Sequence, residues 1–148
     1  MFDREHIKSV ADITRFQAKA HGGTVAQVFE GRATTYGELD KRASQVAQAL
    51  IGDGMKPDAR IGFIGKGSDR YFEMLYGAFK AKSVVVGVNW RLAPPEVAYV
   101  LNDARTEMLF VGAEFYDIVG QVLADCPSVK RVIALDGGHA TWTSFDDW

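Results

Sequence analysis

The apolar positions of this chain switch between helical spacing and short unbroken runs. From about Arg4 to His21, the residues Val10, Ile13, Phe16 and Ala20 recur at three- and four-residue steps. That spacing predicts a helix, and Gly22-Gly23 ends it. The stretch from Thr24 to Phe29 is short and β-prone, and Ala33 to Thr35 can return beside it across Glu30-Gly31-Arg32. A hairpin is predicted there. Thr35-Tyr36-Gly37-Glu38 has the form of a capping box, in which hydroxyl and carboxylate satisfy each other's backbone amides. Behind it Leu39, Ala43, Val46, Ala47 and Leu50 mark one apolar stripe, which Gly52-Asp53-Gly54 stops.

Beyond that point the pattern alternates. Arg60 to Ile64 reads as a strand, and Asp69 to Lys82 as a helix with Phe72, Leu75, Tyr76 and Phe79 inward. Val84 to Val88 is an unbroken apolar run, the signature of a strand buried on both faces. Pro94-Pro95-Glu96 opens a further helix whose inward stripe is Val97, Val100 and Leu101. Met108 to Val111 is a strand. Phe115 to Ala124 is a helix turning Phe115, Val119, Val122 and Leu123 inward, and Val129 to Leu135 is a strand that Gly137-Gly138 breaks. Strands alternating with helices imply βαβ units, hence an α/β fold with a doubly wound, mostly parallel sheet and flanking helices. No Pro/Gly/Ser-rich linker and no repeat divides residues 1–148, so one domain without internal boundary is expected. Trp142, Phe145 and Trp148 crowd the last seven residues, where a finished domain more often carries polar, frayed positions. The stretch from Thr143 to Trp148 therefore reads as the start of something unfinished, and truncation is expected.

Composition narrows the classes of function. The 148 residues are 47% hydrophobic and 24% charged, which is ordinary globular composition. Seventeen basic against nineteen acidic residues leave a net charge of −2, no electrostatic basis for binding nucleic acid or an anionic membrane. A single cysteine, Cys126, excludes an intrachain disulfide framework and fits a reducing, cytoplasmic compartment. The apolar runs are too short to span a bilayer. The opening Met1-Phe2-Asp3-Arg4-Glu5-His6 lacks the basic start and apolar centre of a signal peptide.

Candidate chemistry is sparse. Gly62-Phe63-Ile64-Gly65-Lys66-Gly67-Ser68 joins a strand to a helix, as phosphate-binding loops do. It fails as a P-loop, because Arg60 stands where the first glycine belongs and Gly67 follows Lys66. It fails as a dinucleotide turn, because its glycines fall at relative positions 0, 3 and 5 where 0, 2 and 5 are needed. A strand-to-helix turn with Ser68 or Asp69 as N-cap accounts for the same residues. His6, His21, His139 and Cys126 are scattered and form no pair at zinc-ligand spacing. Ser68, flanked by Lys66 and Arg70, lacks the glycines of a nucleophile elbow. Cys126, ahead of Pro127, reads as a small packed apolar group, and Asp146 and Asp147 as a solvated helix start. Tyr71, Phe72, Tyr76 and Phe79 could line a pocket, but at helical spacing they read as core. Asn89-Trp90-Arg91-Leu92 lies beyond the carboxyl end of a predicted strand, where open α/β sheets place ligands. It reads equally as a loop in which Asn89 caps a turn, Trp90 packs on a helix and Arg91 pairs with an acid. No residue is assigned a catalytic, cofactor-binding or metal-binding role.

Two stretches carry a resemblance. Thr34-Thr35-Tyr36-Gly37-Glu38-Leu39-Asp40, followed by Arg42-Ala43, resembles the first core motif of the adenylate-forming superfamily of acyl-CoA synthetases, peptide-synthetase adenylation domains and luciferases. The segment Tyr76-Gly77-Ala78-Phe79-Lys80-Ala81-Lys82-Ser83, continuing through Val84-Val85-Val86-Gly87-Val88-Asn89, resembles its second. Asn89-Trp90-Arg91-Leu92 with Pro95-Glu96-Val97-Ala98-Tyr99-Val100-Leu101 is similar to the branch of bacterial fatty-acyl-CoA ligases. The resemblance extends from about Ile7 to Trp148. It departs at Gly87, where the family commonly has proline, and at Gly65-Lys66-Gly67, in place of a sequence more like Pro-Asn-Ser.

The resemblance implies the N-terminal subdomain of an ATP-dependent fatty-acid–CoA ligase, an acid–thiol ligase using ATP, Mg2+ and CoA. It also implies what this stretch lacks. No position matches the family's phosphate loop, ribose-binding acid, magnesium-ligating glutamate or C-terminal catalytic lysine. The fragment is therefore expected to be inactive alone and to bind none of these cofactors through its own residues. Its expected partners are the remainder of its chain and, for the parent, fatty acid and CoA, with peripheral membrane association open for the parent. The alternative is a natural short α/β module that binds a partner without catalysis. A cut domain would also expose apolar surface and invite self-association.

Overall fold

A computed structural model describes residues 7–148. The chain forms two compact units, each built from segments distant in sequence. One takes the described part of Met1–Pro57 together with Gly67–Ser83, and the other takes Asp58–Lys66 with Val84–Trp148.

The first unit is a helical layer with a hairpin. Helix α1 spans Val10–His21. It starts later than the apolar spacing predicts because the Asp12 carboxylate accepts from the Ser9 backbone N–H at 2.9 Å and so caps the helix there. Residues 7–9 are not helical, and the part of the predicted helix from Arg4 to His6 lies outside the described residues. Strands β1 (Val25–Phe29) and β2 (Arg32–Thr35) pair antiparallel. Their turn residues Glu30 and Gly31 have φ of 48° and 79°, the sign pattern of a type I′ hairpin turn. Helix α2 (Tyr36–Gly52) opens on the predicted capping box. Glu38 Oε2 accepts from the Thr35 N–H at 2.8 Å, and the Thr35 hydroxyl accepts from the Glu38 N–H at 3.2 Å. The predicted stripe Leu39, Ala43, Val46, Ala47 and Leu50 is the buried face.

Helix α3 (Asp69–Lys80) departs from expectation. Its buried face is Asp69, Glu73, Met74, Gly77 and Ala78, while Phe72 is exposed and Tyr71, Leu75, Tyr76 and Phe79 are half-buried. Small residues decide this. A Cβ on Gly77 would lie 2.4 Å from Val46 Cγ1 and 2.9 Å from the Ala43 carbonyl oxygen. Only a glycine lets α2 approach so closely, and the larger aromatics are turned off that seam. The helix ends at Lys80 rather than Lys82, which takes the left-handed conformation at φ 60°.

The second unit is a five-stranded parallel sheet in the order β4-β3-β5-β6-β7. The strands are β3 (Arg60–Ile64), β4 (Val84–Val88), β5 (Met108–Val111), β6 (Arg131–Ala134) and β7 (Thr143–Ser144). Helices α4 (Pro94–Asp103) and α5 (Tyr116–Val122) cover one face. Ile64, Leu109, Val111 and Val132 from the strands meet Val97 and Leu101 of α4 and Val119 and Val122 of α5 there. Val84–Val88 is a strand, but it is not buried on both faces. It is an edge strand, with Val84 44% exposed and only Val88 buried. The strand buried throughout is β5, near the middle of the sheet. An apolar run reports strand propensity, while depth depends on strand order. The stretch from Thr143 continues into turns, where Asp147 and Ser144 bond each other, rather than into a helix. Phe145 and Trp148 pack edge-on against Phe110, at centroid distances of 6.2 and 5.3 Å.

Candidate functional site

The strand order reverses at β3, the first strand of the sheet, whose neighbours are β4 and β5. In open α/β sheets such a reversal leaves a crevice beyond the carboxyl ends of the strands. Here the loops after β3, β4 and β5 meet at that end. The Gly112 N–H donates to the Ile64 carbonyl at 2.9 Å, joining the two central loops. Lys66 Nζ lies 2.8 Å from Glu114 Oε2. Lys66 also stands 5.6 Å from the centroid of Trp90, and the Arg91 guanidinium stacks over the same ring at 4.1 Å. Trp90 is half-buried, 6.1 Å from Phe115, with its indole against the aliphatic cluster.

The loop reading of Asn89-Trp90-Arg91-Leu92 is met in part by this geometry. Asn89 caps a turn, its Oδ1 accepting from the Arg91 N–H at 3.0 Å, and Trp90 packs inward. Arg91 stacks on Trp90 where the loop reading expects an acid partner. The group of two cations, one carboxylate and one indole face has the means to bind a flat or anionic ligand. It contains no paired nucleophile and base, so its chemistry is recognition.

The glycine-containing turn before α3 behaves as an N-cap. The Ser68 hydroxyl accepts from the Tyr71 N–H at 3.2 Å, and Asp69 Oδ1 accepts from the Arg70 N–H at 3.0 Å. Arg32 holds the Asp69 carboxylate through two bonds of 3.1 and 3.2 Å. Burial works to raise the Asp69 carboxyl, but the Arg32 bond and the Arg70 amide outweigh it and hold the group below its ordinary range. The helix end thus has its own acceptors and its own negative charge, and does not fit a phosphate. For magnesium, the described residues bring no three His, Cys, Asp or Glu side chains together. Cys126 is buried, and burial followed by the Asp125 charge pushes its thiol up, as expected of an inert packing group. His21 is exposed at the end of α1, and His6 lies outside the described residues.

Sequence reasoning missed two groups. The first is a set of buried charges in the helical unit. Lys80 Nζ lies 2.5 Å from Asp40 Oδ1, 2.8 Å from Ser44 Oγ and 3.1 Å from the Asp40 carbonyl, while Thr14 donates to Asp40 Oδ1 at 2.8 Å. Arg42 holds the buried Glu73 at 3.1 Å. Burial raises the Glu73 carboxyl, and Arg42 only partly offsets it. The second is an aromatic cluster of Tyr116, His139 and Trp142 at the loop after β6. The ion pairs join residues 31 to 40 positions apart and Tyr116 lies more than twenty positions from His139, so periodicity carries no trace of either meeting; only the His139–Trp142 pair is local.

The charged members of the two quoted stretches answer each other. Asp40 pairs with Lys80, and Arg42 with Glu73, which lies just ahead of the second stretch. Against known proteins, the family model for AMP-binding enzyme matches residues 14–147. The chain belongs to the AMP-binding enzyme family.

Among relatives in this family, the fatty acid–[acyl-carrier-protein] ligase ScoC of Streptomyces coeruleorubidus is 36% identical over 143 residues. That match covers 95% of this chain and 27% of the relative. A 4-hydroxybenzoate–CoA/benzoate–CoA ligase of Rhodopseudomonas palustris is 29% identical, over 93% of this chain and 25% of the relative. The crystal structure of a putative long-chain-fatty-acid CoA ligase from Rhodopseudomonas palustris superposes with a TM-score of 0.90 at 26% identity. It covers 97% of this chain and 36% of that one. The chain thus spans about a quarter of the length of these curated relatives. It is part of an AMP-binding domain, and its fold is that of N-terminal domains of CoA ligases. Among the described residues, no helix is long and apolar enough to cross a membrane.

Proposed function

We propose that this chain is the N-terminal part of an AMP-forming fatty-acid–CoA ligase, where it supplies scaffold rather than reacting groups. In the parent reaction a carboxylate oxygen attacks the α-phosphorus of ATP and pyrophosphate leaves. The thiol of CoA then displaces AMP from the acyl-adenylate. The fatty-acid reading draws on the Streptomyces ligase and the long-chain-fatty-acid ligase. The CoA reading draws on the benzoate and long-chain ligases. A single buried free cysteine suits the cytoplasm, where we place the protein.

The observation that carries the scaffold role is the fate of the motif charges. Glu38 caps its own helix, Asp40 holds Lys80, and Arg42 holds Glu73. Asp40 ties α2 to α1 and α3, Arg42 ties α2 to α3, and Glu38 holds the start of α2. The Lys66, Trp90 and Arg91 group has the chemistry to contribute one wall of a ligand site, which residues elsewhere in such a ligase would complete.

Fatty-acid-dependent exchange of pyrophosphate into ATP tests this reading in two arms. The 148-residue chain is expected to show no turnover, and clear exchange activity would overturn the scaffold role. Grafted in place of the matching 143 residues of the Streptomyces ligase, the chain is expected to retain adenylation. A folded chimera without exchange activity would overturn the ligase reading.

A further inference from the structure

The loop after β6 is pinned by a single nitrogen. His139 Nδ1 accepts from the backbone N–H of Thr141 and from that of Trp142, both at 3.2 Å, with Thr141 Oγ1 3.3 Å away. The imidazole stacks face to face on the Trp142 indole, at a centroid distance of 3.8 Å and an interplanar angle of 15°. Tyr116 of α5 meets both rings edge-on, at 5.2 and 5.4 Å, and its hydroxyl donates to the Asp136 carbonyl where the loop begins. Trp142 in turn packs against the aliphatic cluster of the sheet. Two loop amides, one of them that of the seated Trp142, therefore share one lone pair as acceptor.

That lone pair exists only in the neutral ring with its hydrogen on Nε2. A second proton would put an N–H at Nδ1 pointing into two N–H donors, and the turn could not persist. Thr141 Oγ1, 3.3 Å away, can accept from a protonated Nδ1, but that bond leaves the Thr141 and Trp142 amides without the acceptor they had. The Tyr116 phenol is pushed up by burial and then by the Asp136 charge, so it stays neutral and unchanged in acid. Asp136 Oδ2 lies 3.6 Å from the position a Cβ would take on Gly112. We propose that this loop is a proton-operated latch: uptake of a proton by His139 releases the Thr141 and Trp142 amides and unseats Trp142. The latch lies at the carboxyl end of β6, the sheet end at which Lys66, Trp90 and Arg91 also stand, and the proposal does not rest on the ligase reading.

Amide NMR of the 148-residue protein between pH 8 and pH 5 tests it. Going down that range, the Thr141 and Trp142 amides and the Trp142 indole should shift together with the His139 ring. Their exchange protection should fall by up to about tenfold per pH unit once the ring is charged. Amides of β5 and β6 should hold their positions, which separates latch release from unfolding. His139→Phe keeps an aromatic face but no acceptor. In it the loop amides should be unprotected already at pH 8 and insensitive to pH. Loop amides that stay protected while the His139 ring titrates would overturn the proposal, as would a His139→Phe protein with wild-type protection at Thr141 and Trp142.

Discussion

The two units differ in whether they bury charge. The helical unit carries surface pairs such as Arg32–Glu30, but two of its pairs put a charged group inside, with Lys80 5% exposed and Glu73 3% exposed. In the sheet unit the pairs are at the surface, with Lys66 and Glu114 56% and 61% exposed and Lys130 bonding Glu107 at 3.0 Å from a similarly open position. The sheet needs no internal charge, because parallel strands satisfy each other's backbone and bury aliphatic side chains between strand and helix. The helical layer brings α2 and α3 together along a seam of small residues, Ala43, Ala47, Gly77 and Ala78, which bury little apolar area. Its orientation is specified by charges with fixed partners instead. Buried pairs of this kind give specificity more than net stability, and breaking one leaves an uncompensated charge.

Removing one half of the Lys80 pair should have the largest effect. Asp40→Ala leaves a buried ammonium with only Ser44 and a backbone carbonyl as acceptors, and should cost about 3–5 kcal/mol by urea denaturation. The apolar double variant Asp40→Leu/Lys80→Met should recover most of that loss. A double variant as unstable as Asp40→Ala would mean that the pair itself, rather than the orphaned charge, supplies the stability.

In the sheet unit the comparable loss should come from an aliphatic residue. Leu109→Ala, in the cluster beneath α4, should cost about 3 kcal/mol through lost burial and the cavity left behind. Thr35→Ala removes the α2 cap and should cost about 1 kcal/mol. Lys130→Ala, in an exposed pair, should change stability by less than about 0.5 kcal/mol and so mark the contrast between the units.

The smallest effect at neutral pH, and the one with the clearest sign, belongs to Glu73. Its carboxyl is raised, first by burial, so between the unfolded and folded values the native state binds more protons than the unfolded one. Stability from this group is therefore full below the ordinary glutamate range and declines as pH rises through the raised value. Glu73→Gln should remove that decline and leave the protein at least as stable at pH 7. Asp69 works oppositely. Held below its ordinary range, it stabilises above that range and loses the contribution as pH falls through its lowered value. Denaturation curves of Glu73→Gln and Asp69→Asn from pH 3 to pH 8 should diverge in these opposite directions.

Much of the fold could be read without coordinates. The stripe from Leu39 to Leu50, the Thr35–Glu38 box and the strand from Arg60 to Ile64 all depend on residues within one or two turns of each other. In such cases the local pattern is the cause of the structure. The resemblance of the Thr34–Ala43 and Tyr76–Asn89 stretches was equally legible, and the family match agrees with it. The site was far less legible. No acid–base pair lies close in sequence, and the residues that meet beyond the carboxyl ends of β3, β4 and β5 come from loops as far apart as Lys66 and Glu114.

The sequence by itself determined the order and type of the main helices and strands from α1 to β6, most of their limits to within a few residues, and that the sheet is mostly parallel. Short-range periodicity, caps and turn residues carry that information over distances of a few residues. Tertiary structure alone decided that Val84–Val88 is an edge strand, because an apolar run looks the same wherever the strand order puts it. It decided that α3 packs by Gly77 and Ala78 and leaves Phe72 exposed, because the close approach of Val46 is a property of two helices together. And it decided that Asp40, Lys80, Arg42 and Glu73 hold one another, because the partner that makes a buried charge tolerable lies 31 to 40 residues away in the chain.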